Sequence, residues 1–250
     1  MSATSIAGAT ALVTGASRGF GRSIATSLSQ AGAQVVGVAR DKDQLGQLRE
    51  ELGSSFIPVA ADAAAPETAG LLIDAYRPAI LVLNAGAAPL SRPLHQHTWQ
   101  TFSRNWEVDV QHAFRWVREA LLSPLDPGSC VITVSSGAAL RGSPLSGGYA
   151  GAKAAIRFLT AYAADESQRA TLGIRFCSVL PQLTPATGLG SAAVAAYAAR
   201  QGVTVADYLN AAGPALSTAQ VGSAVISLVT EPGHDKDAYL LTAAGLTPAP

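Results

Sequence analysis

Charge is what this 250-residue chain has least of. Lys, Arg, Asp and Glu together make up 14% of it, while 48% is hydrophobic; a typical globular domain carries roughly 25% charge. So little surface that insists on water implies a large core, extensive subunit contact, or both. The 17 basic and 17 acidic residues cancel and form no basic run, which argues against the electrostatic footprint of a nucleic-acid binder. Cysteine is almost absent. Cys130 and Cys177 each sit in an apolar, strand-like run and are expected to be inert buried thiols rather than a disulfide or metal ligands. His95, His97, His112 and His234 have no carboxylate or cysteine partners at metal spacing, so no metal site is expected, and His95 and His97 read as surface loop. No apolar run approaches the roughly 20 residues of a membrane span. The opening Met-Ser-Ala-Thr-Ser-Ile-Ala lacks the charged-then-apolar order of a signal peptide. A soluble, cytoplasmic protein with neither membrane nor nucleic-acid partner is expected.

What is present alternates. Thr10-Ala11-Leu12-Val13-Thr14 reads as a strand. Gly15-Ala16-Ser17-Arg18-Gly19-Phe20-Gly21 follows, and then Ile24, Leu28 and Ala31 recur at helical period. A strand, a glycine-rich turn and a helix start together offer free N–H groups and a positive dipole to a phosphate. Gly15, Ser17, Arg18, Phe20 and Gly21 are the candidate contacts. A second strand over 33–39 ends at Arg40-Asp41. In a dinucleotide fold this position meets the adenosine ribose, where an acid holds the 2′-hydroxyl of NAD and an arginine accepts the 2′-phosphate of NADP. Ala39 supplies no carboxylate, Arg40 and Arg18 suit a phosphate, and Asp41 suits a helix cap. NADP(H) is therefore favoured over NAD(H), although Arg40 also reads as a solvated loop arginine.

A helix over 41–52 leads to a strand over 55–60 and to Asp62-Ala63, where Asp62 can meet an adenine edge or simply make a turn. A short helix over 66–76 and the apolar strand 79–83 follow, closed by the tight turn Asn84-Ala85-Gly86. Residues 97–122 read as one long helix with Trp99, Phe102, Trp106, Val110, Phe114, Val117 and Leu121 at threes and fours, as core or subunit interface. Asp109 lies among them and needs a partner if buried. A strand over 131–135 precedes Ser136. A sixth strand over 173–180 is expected to break at Pro181-Gln182-Leu183-Thr184-Pro185. Short helices over 190–212, a helix near 216–230 and a strand over 238–242 complete the chain, and Pro248-Ala249-Pro250 is expected to continue no ladder. The alternation, with no linker or repeat, predicts a single α/β domain over residues 1–250, a doubly wound sheet with ligands at the strands' carboxyl ends.

The chemistry is concentrated between Ser136 and Lys153. If a helix starts near Gly148, Tyr149 and Lys153 lie one turn apart on one face. An ammonium beside a phenol favours phenolate, which suits a general acid and base. Tyrosine and lysine at that spacing are also common on exposed helices; the polar features falling at strand ends raise the weight of the chemical reading.

Four motifs now stand in order: Thr14-Gly15-x-x-x-Gly19-x-Gly21, Asn84-Ala85-Gly86, Ser136, and Tyr149-x-x-x-Lys153. On these the chain resembles the short-chain dehydrogenase/reductase family over nearly its whole length. The gap from Ser136 to Tyr149 selects Ser136 over Ser135 and Ser143. The resemblance implies a Rossmann fold of about seven parallel strands, a nicotinamide cofactor touching Asn84, Ala85, Gly86, Tyr149, Lys153, Pro181 and Thr184, and a homotetramer or homodimer. It implies hydride transfer between cofactor and carbonyl carbon, with Tyr149 as proton donor, Ser136 as oxyanion partner, and Lys153 on the nicotinamide ribose. Two positions depart from the pattern. Asp109 stands where the family usually has a catalytic asparagine, and Gln182 stands where Pro181 is usually followed by glycine; Gln182 is expected to add an amide near the nicotinamide. The expectation is a carbonyl reductase or alcohol dehydrogenase with a lid over 186–212 and a fairly apolar small-molecule substrate. Arg92, Arg141 and Arg200 are too scattered to mark a carrier-protein patch. The alternatives are a dinucleotide-binding sensor or structural subunit, and an epimerase or dehydratase of the same fold.

Overall fold

A computed structural model describes residues 5–250. The chain runs β1 (Thr10–Thr14), α1 (Gly19–Gln30), β2 (Gln34–Ala39), α2 (Lys42–Leu52), β3 (Phe56–Ala60), α3 (Thr68–Tyr76) and β4 (Ile80–Leu83). Next come α4 (Trp99–Asn105), a π-helical segment (Trp106–Val110), α5 (Gln111–Leu122), β5 (Cys130–Val134), α6 (Ala138–Arg141), α7 (Gly147–Arg169) and β6 (Arg175–Pro181). The rest holds α8 (Gly188–Gln201), α9 (Val205–Ala212), α10 (Thr218–Thr230), β7 (Ala238–Thr242) and β8 (Gly245–Pro248).

One eight-stranded sheet is ordered β3-β2-β1-β4-β5-β6-β7-β8. The pairs from β3 through β7 are parallel, and only β8 is antiparallel. This is the doubly wound Rossmann arrangement. The strands are continuously apolar because both faces are covered. Val13, Val35, Val82 and Ile132 pack on one face with Ile24, Leu28 and Val225 from α1 and α10. Their neighbours Leu12, Val36, Leu81 and Val131 pack on the other with Ile73, Trp116 and Ala163 from α3, α5 and α7. The chain winds outward from β1 to β3 and then crosses back to β4, so the strand order reverses between β1 and β4. The carboxyl ends of those two strands leave the crevice where ligands bind in such sheets.

Three expectations are corrected. Residues 97–122 are not one helix. A π turn over Trp106–Val110 divides α4 from α5, and the extra residue in that turn shifts the apolar stripe's phase. Trp99, Trp106 and Phe114 are 77%, 41% and 50% exposed in the single chain, while Trp116 is fully buried. The tail does pair: Pro248 lies opposite Tyr239 and the Ala249 N–H donates to the Ala238 carbonyl at 2.9 Å. Proline lacks a donor but is tolerated at the end of an edge strand. Likewise β6 runs through Pro181, whose carbonyl accepts from the Gly137 N–H at 2.9 Å, and the Gln182 N–H donates to the Leu241 carbonyl at 2.8 Å. Among the described residues no helix is long and apolar enough to cross a membrane. Cys130 and Cys177 are free and buried.

Candidate active site

The glycine turn is shaped by what lies under it. Gly15 has φ +68°, and a Cβ there would stand 2.8 Å from Asn84 Nδ2, so a side chain is excluded by both conformation and space. Behind it, a Cβ on Gly21 would collide with the Gly15 carbonyl. Asn84 locks the turn to the next strand: its Nδ2 donates to the carbonyls of Thr14 (3.1 Å) and Gly15 (3.3 Å), and its N–H donates to Thr14 Oγ1 (2.9 Å). Arg18 occupies the N-cap of α1 without a side-chain cap bond, which leaves first-turn N–H groups for a ligand.

Above the sheet edge opens a cleft of about 1390 Å³ lined from the glycine turn to α9. That exceeds the roughly 300–1,000 Å³ of a single small-molecule site and leaves room for a dinucleotide and a second molecule together. Every site residue read from the sequence lines it except Gly21, which packs beneath Gly15. At the far end, Arg18 and Arg40 form no ion pair among the described residues, whereas Asp41 Oδ1 caps α2 by accepting from the Gln44 N–H at 3.0 Å. Asp62 Oδ1 accepts from the Ala64 N–H at 2.9 Å in a turn, and the buried Ala63 gives its carbonyl to Trp116 Nε1 at 2.8 Å. These residues, the glycine turn and the free helix start fit a dinucleotide.

At the near end the chain after β5 and the first turns of α7 bring Ser136, Tyr149 and Lys153 to the cleft. Ser135 is buried and donates to the Lys153 carbonyl at 2.7 Å. Ser136 lines the cleft, and its Oγ accepts from the Ala138 N–H at 3.2 Å, leaving its proton to donate. Lys153 Nζ lies 5.6 Å from the centroid of the Tyr149 ring, 3.1 Å from the Val134 carbonyl and 3.4 Å from Asp109 Oδ2. Lys153 and Asp109 are 5% and 1% exposed. Burial pulls the Lys153 ammonium down, but the charge of Asp109, then that of Tyr149, outweighs it and holds the group above the usual lysine value. Asp109 is held in turn by the Ala87 N–H at 2.7 Å and by Asn105 Nδ2 at 3.4 Å, and a Cβ on Gly86 would stand 2.8 Å from its Oδ2. Glycine at 86 thus makes room for the carboxylate.

Pro181 and Gln182 line the cleft, but the Gln182 amide donates to the Pro214 carbonyl at 3.0 Å. Thr184 is buried and gives its hydroxyl proton to the Leu216 carbonyl. Both side chains therefore anchor the chain after β6.

His112 and Tyr208 line the cleft and were not singled out from the sequence. His112 is one turn beyond Asp109 on the same helical face, a spacing that marks it. It is 2% exposed and its Nε2 has no partner. Burial, then the Lys153 charge, lowers its pKa to about 3. Nothing in the local pattern marks Tyr208, which meets Tyr197 only through the packing of α8 on α9.

The chain's similarity to known proteins points the same way. A family model described as short chain dehydrogenase matches residues 9–197. Versicolorin reductase 1 of Aspergillus parasiticus is 34% identical over 158 residues, covering 60% of each chain. L-xylulose reductase of Cavia porcellus is 32% identical over 158 residues, covering 62% of this chain and 64% of its own. The matched segment thus spans under two thirds of these relatives' length. A crystal structure of 3-ketoacyl-(acyl-carrier-protein) reductase from Brucella melitensis, complexed with NADH, shares the fold with a TM-score of 0.78 over 95% of this chain and 98% of that one, at 24% identity. With its glycine turn, its sheet order and a family match across three quarters of its length, this chain belongs to the short-chain dehydrogenase family.

Proposed function

We propose that this chain is an NADP(H)-dependent oxidoreductase that interconverts a carbonyl and an alcohol, with Tyr149 as acid and base. The observation that carries the reading is the convergence of Ser136, Tyr149 and Lys153 on one cleft with the glycine turn, the lysine kept charged by Asp109. The names of its relatives as reductases support it.

A bound nicotinamide dinucleotide supplies or accepts the hydride. In reduction, Tyr149 gives its phenolic proton to the substrate oxygen as the carbonyl carbon gains hydride, leaving alcohol and phenolate, and the phenol is re-protonated from solvent. Ser136 donates a hydrogen bond to the same oxygen as negative charge develops on it. The Lys153 ammonium stabilises the negative charge left on Tyr149. Gly15, Ser17, Arg18 and Phe20 would hold the phosphates and Arg40 the 2′-phosphate, with Asp62 and Ala63 near the adenine and Asn84, Ala85, Gly86, Pro181 and Thr184 along the nicotinamide half. Preference for NADP(H) is supported by Arg18 and Arg40, which form no ion pair among the described residues, and by Asp41, which is engaged in a helix cap. Residues 186–212, covering α8 and α9, act as the substrate lid of a single domain. Exposed Trp99, Phe114, Phe158 and Tyr162 support a homo-oligomer, and two free buried thiols suit the reducing cytoplasm.

The test is Tyr149→Phe, assayed by reduced-nicotinamide absorbance on a ketone panel and by cofactor fluorescence titration. Turnover is expected to fall about 10²–10⁴-fold with cofactor affinity nearly unchanged. A kcat equal to wild type refutes the acid–base role.

A further inference from the structure

The substrate side of the cleft has a wall that hydride and proton transfer do not require. Tyr197 on α8 and Tyr208 on α9 stack with ring centroids 6.4 Å apart and planes 13° apart, and both line the cleft. Such an offset pair presents a flat aromatic face, against which another flat ring packs better than a puckered one. The wall is fixed from the side that carries Tyr149. The Tyr197 hydroxyl hydrogen-bonds Ser143 Oγ, and Ser143 Oγ bonds Ser146 Oγ at 2.6 Å. Ser146 is the residue before α7, three positions ahead of Tyr149. A movement of the stack is therefore felt at the start of the helix that holds the phenol.

The surroundings of the wall narrow the ligand further. Leu140, Leu183, Leu189 and Ala192 line this end of the cleft. Its charged residues are elsewhere: Arg18, Arg40, Asp41 and Asp62 lie toward the glycine turn, and Asp109 and Lys153 neutralise each other. Arg141, on α6, is the charged side chain left on the substrate side, and it disfavours a cationic substrate.

We propose that Tyr197, backed by Tyr208, is a specificity-determining residue that selects a flat, ring-bearing ketone, an aryl or fused-ring ketone without positive charge; this rests on the carbonyl-reducing reading above. The ring face of Tyr197 makes the selection, and its bond to Ser143 sets where that face stands.

The experiment compares 1-tetralone with its saturated counterpart 1-decalone, both with NADPH, in wild type, Tyr197→Leu and Tyr197→Phe, with thermal midpoints confirming that the variants are folded. Wild type is expected to favour 1-tetralone in kcat/KM. Tyr197→Leu is expected to lower kcat/KM for 1-tetralone about three- to tenfold while 1-decalone changes less than about twofold. Tyr197→Phe keeps the ring and is expected to keep the preference. Equal losses on both ketones in Tyr197→Leu, a preference lost in Tyr197→Phe, or a wild type that reduces open-chain ketones and rejects 1-tetralone overturns the assignment with the carbonyl reaction intact. Failure of the reaction itself looks different: no carbonyl is reduced although NADPH binds, or reduction survives in Tyr149→Phe.

Discussion

His112 gives the fold a built-in acid weakness that can be read quantitatively. The free imidazole titrates near pH 6.5, but in the fold burial and the Lys153 charge hold it at about 3. Between those values the unfolded chain binds a proton that the folded chain does not, so stability falls as pH falls through that window and levels off below about pH 3. The full span is 6.5 minus 3, or about 3.5 units, worth about 5 kcal/mol at 1.36 kcal/mol per unit. At pH 5 the cost is already about 2 kcal/mol. That figure is set by the unfolded ring and hardly changes for any folded value below about 4. Other acids titrate in the same range, so the readout is a difference. In urea unfolding of wild type and His112→Phe, followed at fixed protein concentration from pH 8 to pH 4.5, wild type is expected to lose stability relative to the variant as pH falls. The gap between them should change by about 2 kcal/mol between pH 8 and pH 5. The variant's absolute stability is not the test, since packing beside Trp116 also changes. Parallel curves would mean that the folded ring takes up its proton normally, and the account of a dry, unpartnered imidazole would be wrong.

Two other perturbations follow from the geometry. Arg40→Ala is expected to weaken NADPH about tenfold or more, the value of a charge-assisted phosphate contact, and to leave NADH nearly unchanged; equal losses in a fluorescence titration would remove Arg40 from the 2′-phosphate. Asp109→Asn keeps an acceptor for the Ala87 N–H but deprives Lys153 of its counter-charge, so a loss of about 3 kcal/mol is expected at neutral pH. Without Asp109, burial lowers the lysine's folded value, whereas pairing raises it in the wild type, so the loss should be largest at neutral pH and shrink as pH rises from the variant's lowered value through the wild type's raised one. Equal stability of wild type and Asp109→Asn at neutral pH would show that the pair contributes nothing.

Much of this was legible in the chain because the relevant signals are local. Continuous apolar runs announced β1, β4 and β5. Asp41 was readable as a cap from its place between β2 and α2. The count from Ser136 to Tyr149 chose Ser136 over Ser135; both line the cleft, and the Ser135 hydroxyl goes to the Lys153 carbonyl. The failures have a common cause: each depended on a partner distant in sequence. The π turn exists where Asp109 must reach both Ala87 and Lys153, and a periodicity scan of 97–122 sees neither. Pro181 and Pro248 were read through their missing donor, yet each position asks only for what proline retains: the Pro181 carbonyl serves Gly137, and Pro248 ends an edge strand. Gln182 and Thr184 line the cleft, and the groups that take their donors, the carbonyls of Pro214 and Leu216, are likewise distant in sequence.

Asp109 also changes what kind of site this is. An ammonium as buried as Lys153 costs several kcal/mol to keep charged, and an uncharged asparagine in place of Asp109 would offset little of that. Here a full counter-charge stands at 3.4 Å, and three otherwise unrelated features serve it. Gly86 leaves the space, the Ala87 N–H and Asn105 hold the oxygens, and the π turn aims the side chain. The carboxylate's charge also opposes negative charge on the phenol, while the ammonium it pairs with lies 5.6 Å from the centroid of the Tyr149 ring. A bare carboxylate near a phenol disfavours phenolate, whereas a carboxylate that guarantees the nearer cation removes the larger penalty. The arrangement therefore exchanges some of the lysine's pull toward the cleft for certainty that the lysine is charged.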